Sequence, residues 1–279
     1  MTTDLLIDNR EARAALTEAG RRTAALIRSV ADPALAVRGS AWTVGEVGAH
    51  LAAGLRGFTD AAKGDNATVA TFFPPAGSFA DRLSAVTAGT LSAEPEREPV
   101  PLSGLIAARV EDFLASTAGL PGHQQIATPW YGDGASLSLS TATAMLVGEQ
   151  LVHGYDVAAT VGRPWPISVP EAHLVIRGIT SMLPLSVNPS TVAGRRMSYR
   201  VNVGRGGPRF VVSVADGAAE VEPAGTGRVD CQISADPVTL VLVGYGRVGQ
   251  WGPIVRGKLR AGGRRPWLAL RFTSLFFNP

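Results

Sequence analysis

Residues 145–161, MLVGEQLVHGYDVAATV, constrain this chain more than any other segment. Apolar or small residues occupy nearly every side of its helical projection, and a helix of that kind is buried. Yet Glu149, His153, Asp156 and Thr160 follow one another at spacings of four, three and four, which places them in one stripe. Leu146, Leu151, Val152 and Val157 flank that stripe, so it is not simply a wetted face. The fold must wrap other elements around this helix. It must also answer the cost of a buried carboxylate and imidazole, which is large unless they are paired or bind a metal.

Two arrangements meet that cost: a divalent ion held by Glu149 and His153, or a Glu–His pair without one. His50 bears on the choice. It lies in an apolar helix one turn after Glu46, and Ala53, Gly54 and Gly57 along its own face leave room beside it. His123, in a Pro-Gly loop, and His173, at the start of a helix, read as exposed. His50, Glu149 and His153 together form a His₂Glu set with a coordination position left open, the pattern of a catalytic zinc site. Nickel, iron and cobalt accept the same donors. Asp156 is then either a partner of a ligating histidine or an ordinary polar residue near the helix end.

The first half reads as helices. Residues 9–30 form one, closed by Asp32-Pro33. Thr43 with Glu46 three residues on is a capping box that starts a second helix running to residue 62. Residues 64–101, rich in Gly, Pro, Ser and Thr, read as a crossover with one short helix at 79–91. A third main helix is predicted at 103–117, a loop at 119–140 and a fourth helix at 141–161, stopped by Gly162 and Pro164. The second half alternates instead. Strands are predicted at 197–203, 209–214, 218–221 and 229–234, with helices at 170–183, 237–245 and 265–276. This is a multidomain α and α+β chain: a helical bundle over residues 1–164, then an α+β domain over 165–279.

Composition removes several function classes. Hydrophobic residues are 46% and charged residues 18% of 279, enough to bury a core. The net charge is only +3, carried by Arg with Lys63 and Lys258 alone as lysines, scattered along the chain, so no nucleic-acid partner is expected. Cys231 is the single cysteine and reads as a half-buried strand residue. Thiol chemistry, if any, needs a thiol from outside the chain. No basic, then apolar, N-terminal leader and no run long enough to span a bilayer is evident, which predicts a cytoplasmic protein with no membrane span.

The segments AWTVGEVGAHLA (41–52), TPWYGDG (128–134) and GEQLVHGYDVAATVGRP (148–164) resemble the mycothiol-dependent maleylpyruvate isomerase family. Residues 230–263 resemble the sterol-carrier-like domain that follows the bundle in that family. The resemblance implies a DinB-like four-helix bundle, then a sterol-carrier-like α+β domain. It also implies a divalent metal, Zn²⁺ by preference, on His50, Glu149 and His153. Mycothiol is implied as thiol cofactor or cosubstrate, and the small-molecule substrate is one that a thiolate attacks. In an isomerase of maleylpyruvate-like substrates the thiolate adds to the cis double bond, permits rotation and leaves; in a thiol S-transferase it stays attached. An anionic substrate needs a cation, and Arg247 is the catalytic candidate, with Arg256 and Arg260 behind it and Arg56 ranked lower. Trp130 and Tyr131 are candidates for the pocket mouth. The rival is a non-catalytic protein that binds a small molecule or lipid in the sterol-carrier-like domain; a third reading keeps the metal and hydrolyses with bound water.

Overall fold

A computed structural model describes residues 5–72 and 78–277 of the chain. Contacts divide it into two compact units, one over Asp8–Pro166 and the other over Ile167–Pro279 joined by the described N-terminal residues 5–7.

The first unit is helical. Its helices are α1 (Asn9–Arg28), α2 (Val44–Ala62), α3 (Ala67–Ala70), α4 (Phe79–Ala93), α5 (Pro99–Ser116) and α6 (Leu139–Thr160). The N-caps follow from sequence. Asp8 accepts from the backbone N–H groups of Arg10 and Glu11, and Thr43 and Glu46 form the expected reciprocal box at the start of α2. Pro99 and Pro101 sit in the first turn of α5, where a missing N–H costs nothing, so that helix starts earlier than residue 103. Helices α1 and α2 each pack on both α5 and α6, and α4 lies on α2. Leu16, Ile27, Leu51, Leu55, Leu102, Ile106, Phe113, Leu146 and Leu151 fill the centre with essentially no exposure. Nearly every residue of α6 is buried, as its composition requires.

The predicted loop at 119–140 instead holds a small hairpin. Strands β1 (Gln125–Ala127) and β2 (Ser136–Ser138) pair antiparallel, Ile126 opposite Leu137, around a 3-10 turn at Pro129–Tyr131. Three-residue strands are too short to leave a legible alternation.

The second unit carries a five-stranded sheet in the order β5-β4-β3-β6-β7. Its strands are β3 (Met197–Val203), β4 (Arg209–Ala215), β5 (Ala218–Pro223), β6 (Cys231–Ala235) and β7 (Leu259–Gly262). Only the β3–β6 pair is parallel. Helices α7 (Val169–Thr180) and α9 (Pro237–Gly244) pack together, with the shorter α8 (Pro189–Val192) and α10 (Trp251–Val255) beside them in sequence. The helix expected at 265–276 is two 3-10 segments, Pro266–Arg271 and Thr273–Leu275, which the Arg-Arg-Pro entry does not betray. Cys231 is wholly buried in β6, not half-buried. His173 is buried too, its ring set against the β3–β4 turn: a Cβ on Gly207 would lie 2.4 Å from its Nε2.

No helix among the described residues is long and apolar enough to cross a membrane.

Candidate metal centre

Helices α2 and α6 pack together and bring His50 beside Glu149, 99 positions away in sequence. His50 Nε2 lies 3.2 Å from Glu149 Oε2, and His153 Nε2 reaches the same oxygen at 3.5 Å from one turn further along α6. The two imidazoles meet edge to face, with centroids 5.1 Å apart. One donor atom from each of the three residues falls within 4.8 Å of the others.

The polar stripe on α6 is used along its length. His153 Nδ1 lies 3.4 Å from Asp156 Oδ2, and Asp156 is only 6% exposed. Thr160 Oγ1 donates to the Asp156 carbonyl and accepts from the backbone N–H of Arg38, which ties the α1–α2 connection to the end of α6. In that connection Ala36 bridges to Thr43, and Val37 N–H donates to the Trp42 carbonyl. The tight turn delivers Trp42 to the centre. Its ring lies 4.9 Å from that of His50 and 5.9 Å from that of His153. Sequence reasoning missed Trp42; its place eight residues before His50, across a helix start, carries no periodicity to signal it.

Burial acts to raise the Glu149 pKa, but the hydrogen bonds and charges of His153 and His50 outweigh it and hold the carboxyl far below its usual range. Burial, with the Glu149 charge second, keeps the Tyr131 phenol protonated. Tyr131 stacks on Phe79, while Trp130 is buried edge-on against Phe58. Beside His50, the Cβ positions of Gly54 and Gly57 meet no heavy atom within 4 Å. Arg56 turns away to pair with Asp60 at 3.6 Å. Arg247 belongs to the second unit, just past α9, where its Nη1 donates to the Tyr245 carbonyl at 2.7 Å. Arg256 and Arg260 are exposed.

The donor set fits a divalent cation. Tetrahedral bonds of about 2.0–2.1 Å separate neighbouring donors by about 3.3 Å, close to the two histidine–carboxylate distances. The same distances serve hydrogen bonds from two imidazoles to one carboxylate. The second nitrogens differ in their surroundings: Nδ1 of His153 has the Asp156 carboxylate 3.4 Å away, whereas Nδ1 of His50 is buried with no hydrogen-bond partner among the described residues.

Residues 13–158, just over half of the chain, match the family model described as the mycothiol maleylpyruvate isomerase N-terminal domain. A crystal structure of the mycothiol-dependent maleylpyruvate isomerase superposes with a TM-score of 0.53 at 16% identity, over 94% of this chain and 96% of that one. A histidine-to-alanine mutant of that isomerase gives 0.56 at 13% identity with the same coverage. At such identities the likeness is one of fold. No curated protein matches the chain in sequence.

Proposed function

This chain belongs to the mycothiol maleylpyruvate isomerase family, and from that premise we propose that it is a metal-dependent enzyme working with a low-molecular-weight thiol. Mycothiol is the thiol the family name indicates. The reaction is isomerisation of a maleylpyruvate-like substrate or transfer of the thiol sulfur to an electrophile. The observation that carries the reading is the convergence of His50, Glu149 and His153 on one point inside the bundle.

These three residues would hold the cation, zinc by donor type. When bound, such a cation favours the thiolate form of a thiol beside it, the form that adds to or displaces at an electrophilic carbon. The chain's own groups prepare the place. Glu149, a carboxylate and so anionic at neutral pH, would contribute one negative charge to the donor set. The Asp156 carboxylate, 3.4 Å from Nδ1 of His153, favours a proton on that nitrogen and so the Nε2 lone pair directed at the centre. Trp42 walls one side. Arg247 is proposed as the group that pairs with a substrate carboxylate.

The test is the metal content of purified protein beside Glu149→Ala and His153→Ala, all handled without chelator or affinity-column metal. The reading expects about one equivalent in the parent and little in either variant. It fails if the parent is metal-free and takes up no zinc. Turnover that persists without any thiol would move the chemistry to hydrolysis by metal-activated water.

A further inference from the structure

The charge of this chain is divided unevenly along its length. Everything up to Asp236 carries 19 Arg and Lys against 23 Asp and Glu, whereas the 43 residues that follow carry seven Arg and Lys and no acid. Those residues include α10, the edge strand β7 and the 3-10 segment Pro266–Arg271, and both of the flanking segments pack on β7. Gln250, just before α10, reaches the Leu270 carbonyl at 3.5 Å, so α10 and the 3-10 segment meet there.

This edge presents large apolar side chains to solvent. Trp251 is 64%, Trp267 62% and Val255 88% exposed. Trp251 and Val255 stand one turn apart and share a face of α10. Arg256, Lys258, Arg260 and Arg271 are exposed around them, and none of the four has an acidic partner within ion-pair distance among the described residues. Arg264 and Arg265, by contrast, are occupied by Asp230.

Cations on an edge strand guard against strand pairing, but that role does not call for two exposed tryptophans and a bare valine. Nucleic-acid phosphates would use the cations and the rings, yet would leave Val255 and Leu270 in water. An apolar medium under a layer of negative headgroups uses all of them: indoles settle at the interface, aliphatic groups go below it, and the Arg and Lys heads reach back to phosphate. We propose that the β7 edge of the second unit is a docking surface for an anionic phospholipid bilayer, by which the protein binds peripherally.

The test is sedimentation of the full chain with phosphatidylcholine vesicles and with equimolar phosphatidylglycerol–phosphatidylcholine vesicles. Binding is expected only to the anionic vesicles at low salt, with a blue shift of tryptophan emission. It should be lost near 1 M salt, where screening acts within about 3 Å. Arg256→Glu with Arg260→Glu should weaken binding about tenfold or more. Trp251→Ser with Trp267→Ser should abolish the blue shift and weaken binding, with the thermal midpoint unchanged because these side chains are exposed. No binding to anionic vesicles at low salt overturns the proposal. So does equal binding by the tryptophan variant, or tighter binding to duplex DNA than to the vesicles.

Discussion

His153 is held from both ends: its Nδ1 lies 3.4 Å from Asp156 Oδ2 while its Nε2 lies 3.5 Å from Glu149 Oε2. A carboxylate placed behind the ring favours the tautomer with the proton on the Asp156 side and the lone pair turned to the centre. The carboxylate behind the histidine thus sets what the histidine can do in front.

Asp156→Asn keeps the side-chain shape and removes the charge that selects the tautomer. The expected result is a metal affinity about 10- to 100-fold weaker, as for other partners of ligating histidines. Competition with a chromophoric chelator measures it. An unchanged affinity would mean that Asp156 serves packing alone.

Trp42 makes the centre visible. With its ring 4.9 Å from that of His50, its emission should be quenched as Co²⁺ is taken up. Four other tryptophans are present in the chain, so the quenching must be compared in Trp42→Phe, where it should largely vanish. Quenching of the same amplitude in that variant would place the ion elsewhere.

Gly154, on α6 next to His153, faces Trp165. A Cβ there would lie 2.1 Å from Trp165 Cζ2, and the indole is anchored by its Nε1–H donating to the Leu151 carbonyl at 2.8 Å. Gly154→Ala should therefore destabilise the first unit by about 1–3 kcal/mol, despite the better helix propensity of alanine. Urea denaturation reads this directly. A gain in stability would mean that the ring swings away freely.

Asp230 gives the second unit an acid-sensitive contact. Its carboxylate accepts from Arg264 at 2.6 Å and from the backbone N–H of Ser198 at 3.1 Å. The Arg264 hydrogen bond leads in holding its pKa below the ordinary value; burial opposes it, and the Ser198 N–H and the Arg265 and Arg264 charges assist. A group depressed in the folded state stabilises above its unfolded pKa and loses that contribution as the pH falls through the folded one. Asp230→Asn should therefore melt earlier than the parent at neutral pH, with the gap narrowing as the pH falls below the ordinary aspartate pKa of about 3.9. A gap independent of pH would assign the effect to packing.

Much of the candidate centre was legible before any coordinates. The stripe of Glu149, His153, Asp156 and Thr160 is a matter of helical period, and the Thr43–Glu46 box marks where the helix bearing His50 begins. The four main strands of the second unit were legible for the same reason, being long enough to alternate. β7 was not: its four residues carry only one large apolar side chain, and pairing with β6 defines it. The sequence makes His173 look exposed, because a position near a helix start says nothing of the turn that packs over its ring.

The sequence by itself determined which side chains share a helix face, where helices start, and that α6 must be surrounded, because those properties depend on neighbours within a turn or two. Tertiary structure alone decided that His50 meets Glu149, that Trp42 closes over both histidines, and that Trp251 and Trp267 stand at one edge. Such encounters depend on which helices pack together and which strands pair, and the energy that selects them is spread over the buried surfaces of whole elements. No single motif records it.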